Sequence, residues 1–383
     1  MGHIRTYDDI NNKIEKGEAV VVTAEEIIGM VEEDGIERTA KQVDVVTTGT
    51  FSPMCSSGVF LNFGHSEPPI RMQKILMNDV PVHGGLAAVD TYLGATNVSK
   101  NDSHYGGAHV IEDLLNNKEV NLKATSGGTD CYPRTDVNTW IDIDNINEAI
   151  MHNPRNCYQN YNVAVNASDT NIKTYMGTLL SQCSNAHFAT SGQLSPLLND
   201  RHLNTIGIGT RIFLCGADGY VAWNGTQHNP QVQRIHGKEI YSGATLSVTG
   251  NLKEMNTRYL RAANLPGYGV SIFVGVGVPI PILSTDILKD VSIKDEEIYT
   301  KVIDYSSPKI DKPVLGVVNY RDLRNGEIEI SGNTVPSSPI SSYARAREIC
   351  EELKNKIDHG SFKLQEPIQK LPKKANFNNI KVR

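Results

Sequence analysis

The sequence has six cysteines but no CxxC pair. This absence argues against a zinc ribbon, a ferredoxin-type cluster or a thioredoxin motif. No GxGxxG fingerprint follows a strand pattern and no GxxxxGK[ST] motif occurs, so we do not expect a nucleotide site. His104 and His109 lie five residues apart, with two glycines between them. This spacing does not place both on one helix face, and we expect no metal site.

The sequence also lacks a signal peptide and a membrane-spanning run. Its first twenty residues are polar, and its most apolar stretch, 269–283, has fifteen residues and two prolines. Such a stretch is too short and too broken to cross a bilayer, and we predict buried strand and turn there. The formal net charge of -6 argues against nucleic acid as a partner. Free cysteines without a secretion signal predict the cytoplasm.

The element pattern predicts an α/β chain, with a mixed α+β arrangement also compatible. Helices are expected after Thr6, ending at Gly17, and after a capping box of Thr23 and Glu26. Several strand–loop–helix units follow, and the strongest helical pattern lies near the C-terminus, in 341–360. The stretch 139–151 is predicted as strand followed by helix. Residues 371–383 form a basic tail that we expect to be flexible.

The cysteines differ in their surroundings. Cys350 lies on an apolar helical stripe and Cys215 ends an apolar strand, so both are predicted to pack in the core. Cys157 and Cys183 have polar neighbours and are ambiguous. Cys55 lies in a loop after a β-branched strand, within "FSPMCSSGVF". Ser, Thr and Gly surround it, and their donors can hold a thiolate or another anion.

Cys131 has the same kind of surroundings, within "ATSGGTDCYPR". Arg134 is near it in sequence, as Arg71 is near Cys55, and each would favour a thiolate. Two unremarkable loop cysteines are the alternative. The paired glycines in these segments suit either tight turns or a close backbone approach to a small anion. A histidine such as His65 or His83 is predicted to work as a general acid in a polar pocket rather than as a metal ligand.

Four segments together resemble the homocysteine biosynthesis family of anaerobic archaea and bacteria: "FSPMCSSGVFLNFGHSEPPIRM", "PVHGGLAAVDTYLGAT", "HYGGAHVIEDLL" and "ATSGGTDCYPR". The similarity extends from about residue 15 to about residue 370, so we treat 1–370 as one sulfurtransferase domain. The resemblance implies an enzyme that makes L-homocysteine from L-aspartate 4-semialdehyde, a sulfide-level sulfur and two electrons. The family's signature cysteines fall on Cys55 and Cys131, and the second is the expected persulfide carrier.

The chemistry of this reaction suggests roles for the two thiols. A Cys131 persulfide would attack the aldehyde carbon, with His65 or His83 helping to expel water. Cys55 would then act as the resolving thiol and form a disulfide with Cys131. This requires the two Cα atoms to come within roughly 4.4–6.8 Å of each other.

The substrate and partners are predicted from the same chemistry. An amino-acid head needs a carboxylate clamp and an ammonium acceptor, for which Arg134, Arg71, Asp130 and Glu67 are the candidates. We expect no cofactor bound by this chain, and electrons from a separate ferredoxin-like iron–sulfur protein. Some family members carry C-terminal CBS domains, and we expect no regulation of that kind here. A homo-oligomer is compatible with the sequence.

Two other readings stay open at this level. A cysteine hydrolase or acyltransferase would use Cys131 as nucleophile with a distant histidine as base. A non-catalytic sulfur carrier would pass a persulfide to another chain. A thioester trapped on Cys131 would favour the hydrolase, and turnover of aspartate semialdehyde by the purified chain would exclude the carrier.

Overall fold

The computed structural model describes residues 5–235, 238–240, 243–375, 378, 380 and 381. Its α-helices are α1 (Tyr7–Lys16), α2 (Glu26–Asp34), α3 (Ile36–Gln42), α4 (Gly107–Leu115), α5 (Pro196–Asn199), α6 (Thr285–Val291), α7 (Tyr320–Asn325) and α8 (Tyr343–Asp358). Short 3-10 helices cover Ser181–Cys183, Gly192–Leu194, Leu252–Glu254 and Asp295–Glu297.

The strands are short, apart from a few long central ones. They are β1 (Val21–Thr23), β2 (Val45–Pro53), β3 (Gly58–Asn62), β4 (Lys74–Met77), β5 (Val80–Val82), β6 (Asp90–Gly94), β7 (Val120–Thr125), β8 (Asp136–Ile141), β9 (Glu148–Asn156), β10 (Val163–Val165), β11 (Ile172–Thr174), β12 (Gly177–Leu179), β13 (Ala186–Phe188), β14 (Gly207–Ile208), β15 (Arg211–Leu214), β16 (Ala217–Asn224), β17 (Arg234–Ile235), β18 (Lys238–Glu239), β19 (Leu246–Asn251), β20 (Leu260–Leu265), β21 (Gly269–Pro281), β22 (Tyr299–Asp304), β23 (Val314–Asn319), β24 (Glu327–Ile330), β25 (Asn333–Pro339) and β26 (Gln369–Lys370).

Three larger sheets and three two-stranded sheets organise these strands. A ten-stranded sheet has the order β1-β2-β21-β15-β16-β19-β9-β3-β6, with β20 also paired to β21. A six-stranded sheet has the order β23-β22-β10-β13-β25-β24, and a four-stranded sheet has the order β5-β4-β7-β8. Most pairings are antiparallel, and β1 with β2 is a parallel exception. The prediction of a mixed α/β fold is confirmed.

The predicted N-terminal helix caps are also confirmed. The Thr6 side chain accepts a hydrogen bond from the Asp9 backbone N–H, and Gly17 ends α1 with φ 69°. The backbone N–H of Thr23 donates to the Glu26 carboxylate, while the Glu26 N–H donates to the Thr23 hydroxyl. Each cap satisfies backbone donors that a helix start leaves without an internal partner.

The helix predicted after the strand within 139–151 is wrong. This part of the chain forms β9, which pairs with β3 on one side and β19 on the other. Ala149, Met151 and Asn153 are buried, whereas Glu148 and Ile150 are exposed. The alternation has the period of two that a half-buried strand requires, and the neighbouring strands override the helix-forming preference of Glu and Ala.

The predicted C-terminal helix forms as α8, and its apolar stripe packs on β2 and β21. Cys350, on the inner face of α8, is buried, and so is Cys215. Both predicted packing roles are therefore confirmed. A Cβ atom at Gly49 would lie 2.6 Å from the Ala346 carbonyl oxygen and 3.0 Å from the Cys350 sulfur. Glycine therefore allows helix and strand to approach this closely.

The start of the predicted tail contacts the body of the protein. Leu371 is buried, and the Pro372 carbonyl oxygen accepts a hydrogen bond from His228. Residues 376, 377, 379, 382 and 383 lie outside the described part of the chain. The expected flexibility of the tail stays a prediction. Across the residues that the structure describes, no helix is long and apolar enough to cross a membrane.

Candidate functional site

A cavity of about 380 Å³ lies where the end of β2 meets the six-stranded sheet. This size is at the small end of typical ligand pockets. Its walls carry hydroxyl groups, thiols and one guanidinium. The lining residues are Thr50, Ser52, Pro53, Met54, Cys55, Ser56, Arg155, Cys157, Tyr158, Tyr161, Tyr175, Met176, Ala189, Thr190, Ser195, Pro196, Gln227, Tyr268 and Ile340.

Cys55 enters this cavity from a turn directly after β2. The Met54 backbone N–H donates to the Ile272 carbonyl at 2.7 Å, and both the backbone N–H and the hydroxyl of Ser57 donate to the Met54 carbonyl. These bonds hold the turn against β21. The Cys55 sulfur lies 3.1 Å from the hydroxyl oxygen of buried Ser271. The turn therefore presents a half-buried thiol with a hydroxyl group beside it.

Arg155 is the arginine of this cavity, and none of the described acidic side chains forms an ion pair with it. Its backbone is fixed to the Cys55 turn through Asn153, which accepts from the Arg155 N–H at 2.8 Å and donates to the Ser57 hydroxyl. The Ser56 hydroxyl contacts Asn153 as well. A half-buried guanidinium without a protein carboxylate is a ready partner for a ligand carboxylate, which it can hold with two parallel hydrogen bonds.

Tyrosines form the opposite wall. Burial raises the pKa of Tyr158 to about 12, an effect that the positive charge of Arg155 opposes and the charge of the Cys55 thiolate increases. Burial also raises the pKa of Tyr268, and the negative charge of the Cys55 thiolate adds to this rise. The hydroxyl oxygen of Tyr175 lies 2.8 Å from that of Tyr161. Tyr158 and Tyr268 thus keep their phenol protons near neutral pH.

Cys131 lies elsewhere, at the tip of the hairpin between β7 and β8. The Thr129 and Tyr132 backbones exchange hydrogen bonds of 2.9 and 3.1 Å around it, and its side chain is exposed. The Arg134 guanidinium donates to the carbonyl oxygens of Glu67 and Pro68. It therefore anchors the hairpin to the loop after β3 rather than pointing freely at an anion.

The two signature cysteines lie at opposite ends of β3. Cys55 precedes this strand, whereas the Cys131 hairpin packs on the loop that follows it. Both cysteines are free thiols, and Cys131 is not among the residues that line the cavity with Cys55.

The other predicted site residues lie on the side of Cys131 and do not line the cavity. His65 stacks on Tyr132, with ring centroids 6.0 Å apart. Glu67 is exposed and contributes its backbone carbonyl to Arg134. Asp130 is an exposed neighbour of Cys131 on the hairpin tip.

His83 and Arg71 are also exposed and do not line the cavity. His83 forms a backbone bridge to Tyr92. The sequence analysis missed Arg155 and the tyrosines, whose one visible signal was the polar setting of Cys157 in "PRNCYQNY". Burial raises the pKa of the Cys157 thiol well above its usual range. Within the described ranges, no group of three or more His, Cys, Asp or Glu side chains could hold a metal ion.

Comparison with known proteins places this fold in a family. The model of the family described as "Homocysteine biosynthesis enzyme, sulfur-incorporation" matches residues 19–364. Proteins named L-aspartate semialdehyde sulfurtransferase, from Methanosarcina acetivorans and Methanocaldococcus jannaschii, are each 50% identical to this chain. The matches cover 98% and 97% of this chain and 74% of each relative.

A more distant relative is an uncharacterized protein of Methanothermobacter thermautotrophicus. It is 29% identical, and the match covers 85% of this chain and 73% of that protein. No solved structure matches. The predicted family is confirmed, and the chain belongs to the homocysteine biosynthesis enzymes that incorporate sulfur.

Proposed function

We propose that this chain is an L-aspartate semialdehyde sulfurtransferase, which makes L-homocysteine through a cysteine persulfide. The printed names of two relatives at 50% identity support the substrate. The observation that carries the proposal is the cavity in which the Cys55 thiol and the Arg155 guanidinium line one space. A small amino-acid aldehyde needs both groups: a cation for its carboxylate and a sulfur nucleophile for its carbonyl carbon.

The position of Cys55 changes the assignment of the two thiols. The sequence-based prediction made Cys131 the persulfide carrier and Cys55 the resolving thiol. Because Cys55 lines the cavity and Cys131 lies on an exposed hairpin tip, we propose the reverse. Cys55 holds the persulfide that meets the aldehyde, with Ser271 supporting its sulfur. Cys131 is the partner thiol, which meets Cys55 by movement of the hairpin or from a second copy of the chain.

The atoms and electrons of this cycle balance. Hydrosulfide attacks the Cys55–Cys131 disulfide, so the S–S bond breaks, Cys131 leaves as thiolate and Cys55 becomes the persulfide. The outer sulfur of the persulfide adds to the aldehyde carbon, and the carbonyl oxygen takes a proton. Cys131 then attacks the Cys55 sulfur, which restores the disulfide and releases the product sulfur on carbon. Loss of water gives a thioaldehyde, and two electrons with two protons reduce it to the thiol.

The electrons come from outside the chain in this proposal. The cycle consumes one aldehyde, one hydrogen sulfide, two electrons and two protons, and it releases the thiol and water. A separate low-potential iron–sulfur protein is the donor that we propose, and it would reach the chain from solvent. No cofactor of this chain takes part in any step of this scheme.

The lining of the cavity disfavours the hydrolase reading. A cysteine hydrolase needs a histidine within hydrogen-bond reach of its nucleophile. No histidine is among the residues that line the cavity beside Cys55 in the part of the chain that the structure describes. We therefore do not propose an acyl-transfer reaction.

Turnover by the purified chain tests the proposal. Under strict anaerobiosis, we expect homocysteine from L-aspartate 4-semialdehyde, sulfide and titanium(III) citrate, measured by mass spectrometry. The Cys55→Ala variant should lose the activity, whereas Cys183→Ala, a half-buried cysteine outside the cavity lining, should keep it. Absence of homocysteine from the wild-type chain with reductant present would overturn the proposed function.

A further inference from the structure

The cavity supplies few groups that can protonate a substrate oxygen. Its described lining contains no histidine, aspartate, glutamate or lysine. The Arg155 guanidinium does not release a proton in proteins. Cys55 is the nucleophile in the proposed function, and burial raises the pKa of the Cys157 thiol. The remaining acidic protons belong to the phenols of the wall, namely those of Tyr158, Tyr161, Tyr175 and Tyr268.

Three phenols form a connected hydroxyl network at one side of the cavity. The Tyr175 hydroxyl oxygen lies 2.8 Å from that of Tyr161 and 2.9 Å from that of Tyr305. Tyr305 receives a further hydrogen bond of 2.8 Å from the Asn162 side-chain N–H. Tyr175 is 37% exposed, whereas Tyr161 and Tyr305 are half-buried.

The hydroxyl protons of this network can take one consistent arrangement. The Asn162 amide nitrogen can only donate, so Tyr305 accepts from it, and the Tyr305 proton is available for Tyr175. Burial raises the pKa values of Tyr161 and Tyr305 well above that of a free phenol, so both stay protonated as donors. When Tyr161 and Tyr305 both donate, Tyr175 accepts two hydrogen bonds and its own proton is free for a group in the cavity. Two accepted bonds also stabilise the phenolate that remains after this proton leaves.

Tyr268 is less suited to protonate the substrate. It neighbours the Cys55 thiol, whose thiolate charge raises the pKa of Tyr268, and its ring centroid lies 6.1 Å from that of Tyr175. The two phenols therefore suit different ends of the reacting group: Tyr268 suits the sulfur, and Tyr175 suits the carbonyl oxygen.

We propose that Tyr175 is the general acid of this cavity, which protonates the aldehyde oxygen and then the leaving water, with Tyr161 and Tyr305 as positioning residues. The inference rests on the proposed function and replaces His65 and His83 in that role. As the carbon–sulfur bond forms, the carbonyl π electrons move to oxygen, which takes the Tyr175 proton. Solvent restores that proton through the exposed edge of Tyr175. A second transfer makes the hydroxyl leave as water with the electrons of its carbon–oxygen bond.

The Tyr175→Phe variant tests this role because it removes one oxygen and keeps the ring. General acids contribute about 10²- to 10⁴-fold, so we expect kcat to fall by about 10²-fold or more. The KM for the aldehyde should change little. The kcat of Tyr175→Phe should also fall as pH rises from 6 to 9, since solvent acid then replaces the phenol. Imidazolium buffer should restore part of the rate of this variant. Tyr175→His should recover activity with a pH optimum below that of the wild type.

The positioning residues and a control complete the design. Tyr161→Phe and Tyr305→Phe each remove one donor to Tyr175, so we expect about tenfold losses with the wild-type pH profile. Tyr220→Phe, an exposed tyrosine on β16, should change kcat by less than about twofold. Thermal melts check that each variant is folded.

The outcomes separate the inference from the proposed function. A wild-type chain that makes homocysteine, with a Tyr175→Phe variant of the same rate and pH profile, overturns the inference alone. If Tyr268→Phe shows this pH dependence and Tyr175→Phe does not, the general acid is Tyr268. That result also overturns the inference. A wild-type chain without turnover overturns the proposed function, and the inference falls with it.

Discussion

Replacement of Arg155 by methionine tests how the cavity recognises its substrate. The change keeps a long flexible side chain but removes the cation, and no ion pair with a described residue is lost. Truncating one partner of a buried charged pair costs about 2–5 kcal/mol. Because Arg155 is half-buried, we use the lower part of this range, about 2–3 kcal/mol. That energy corresponds to a loss of about 30- to 150-fold in kcat/KM.

The loss should appear mainly in KM. The carboxylate of the substrate takes no part in the bond changes, so its hydrogen bonds have similar strength in the ground state and the transition state. Arg155→Lys keeps the charge without the planar fork, and we expect an intermediate loss of about tenfold. Arg258→Met is the matched control, since this exposed arginine already pairs with Glu348. Steady-state kinetics that give Arg155→Met a KM within twofold of the wild-type value would refute the assignment.

Two further predictions concern packing and thiol reactivity. Gly49→Ala should lower the free energy of unfolding by about 1–3 kcal/mol in urea denaturation, because its Cβ would press on the Ala346 carbonyl. Gly29 lies in α2 with open space around it, so Gly29→Ala should instead raise the free energy of unfolding by about 0.5–1 kcal/mol. Equal effects would contradict the close approach of α8 to β2. At pH 8, iodoacetamide should label exposed Cys131 quickly, whereas Cys215 should react only after unfolding, since burial raises the pKa of its thiol to about 12. Mass spectrometry of the labelled peptides decides this, and early labelling of Cys215 would contradict its burial.

Local signals in the sequence predicted local structure well. Thr6 and Gly17 define α1 because capping chemistry acts within a few residues, and the apolar stripe of α8 is a short-range period. The helix expected after the strand within 139–151 failed because its propensity was judged without its neighbours. The two strands that pair with β9, namely β3 and β19, come from distant parts of the chain, and no local sequence pattern identifies them.

The site was predictable only in part. The resemblance identified the family and named Cys55 as one of its two signature cysteines. Cys55 does line the cavity. Arg155 and Tyr268 reach that cavity from β9 and from the turn before β21, so only the sheet order brings them to Cys55. The candidates chosen for nearness in sequence, such as Arg134, lie around the hairpin tip instead. Nearness along the chain therefore identified the surroundings of Cys131 but not the lining of the cavity.

The central claim is that sulfur meets the aldehyde at Cys55. The most direct measurement is anaerobic homocysteine formation from aspartate semialdehyde and sulfide, with titanium(III) citrate, by the wild-type chain and by folded Cys55→Ala. The account predicts steady product from the wild type and a loss of at least about 10³-fold in the variant, the scale expected for a covalent nucleophile. A Cys55→Ala variant that forms homocysteine at the wild-type rate would contradict it.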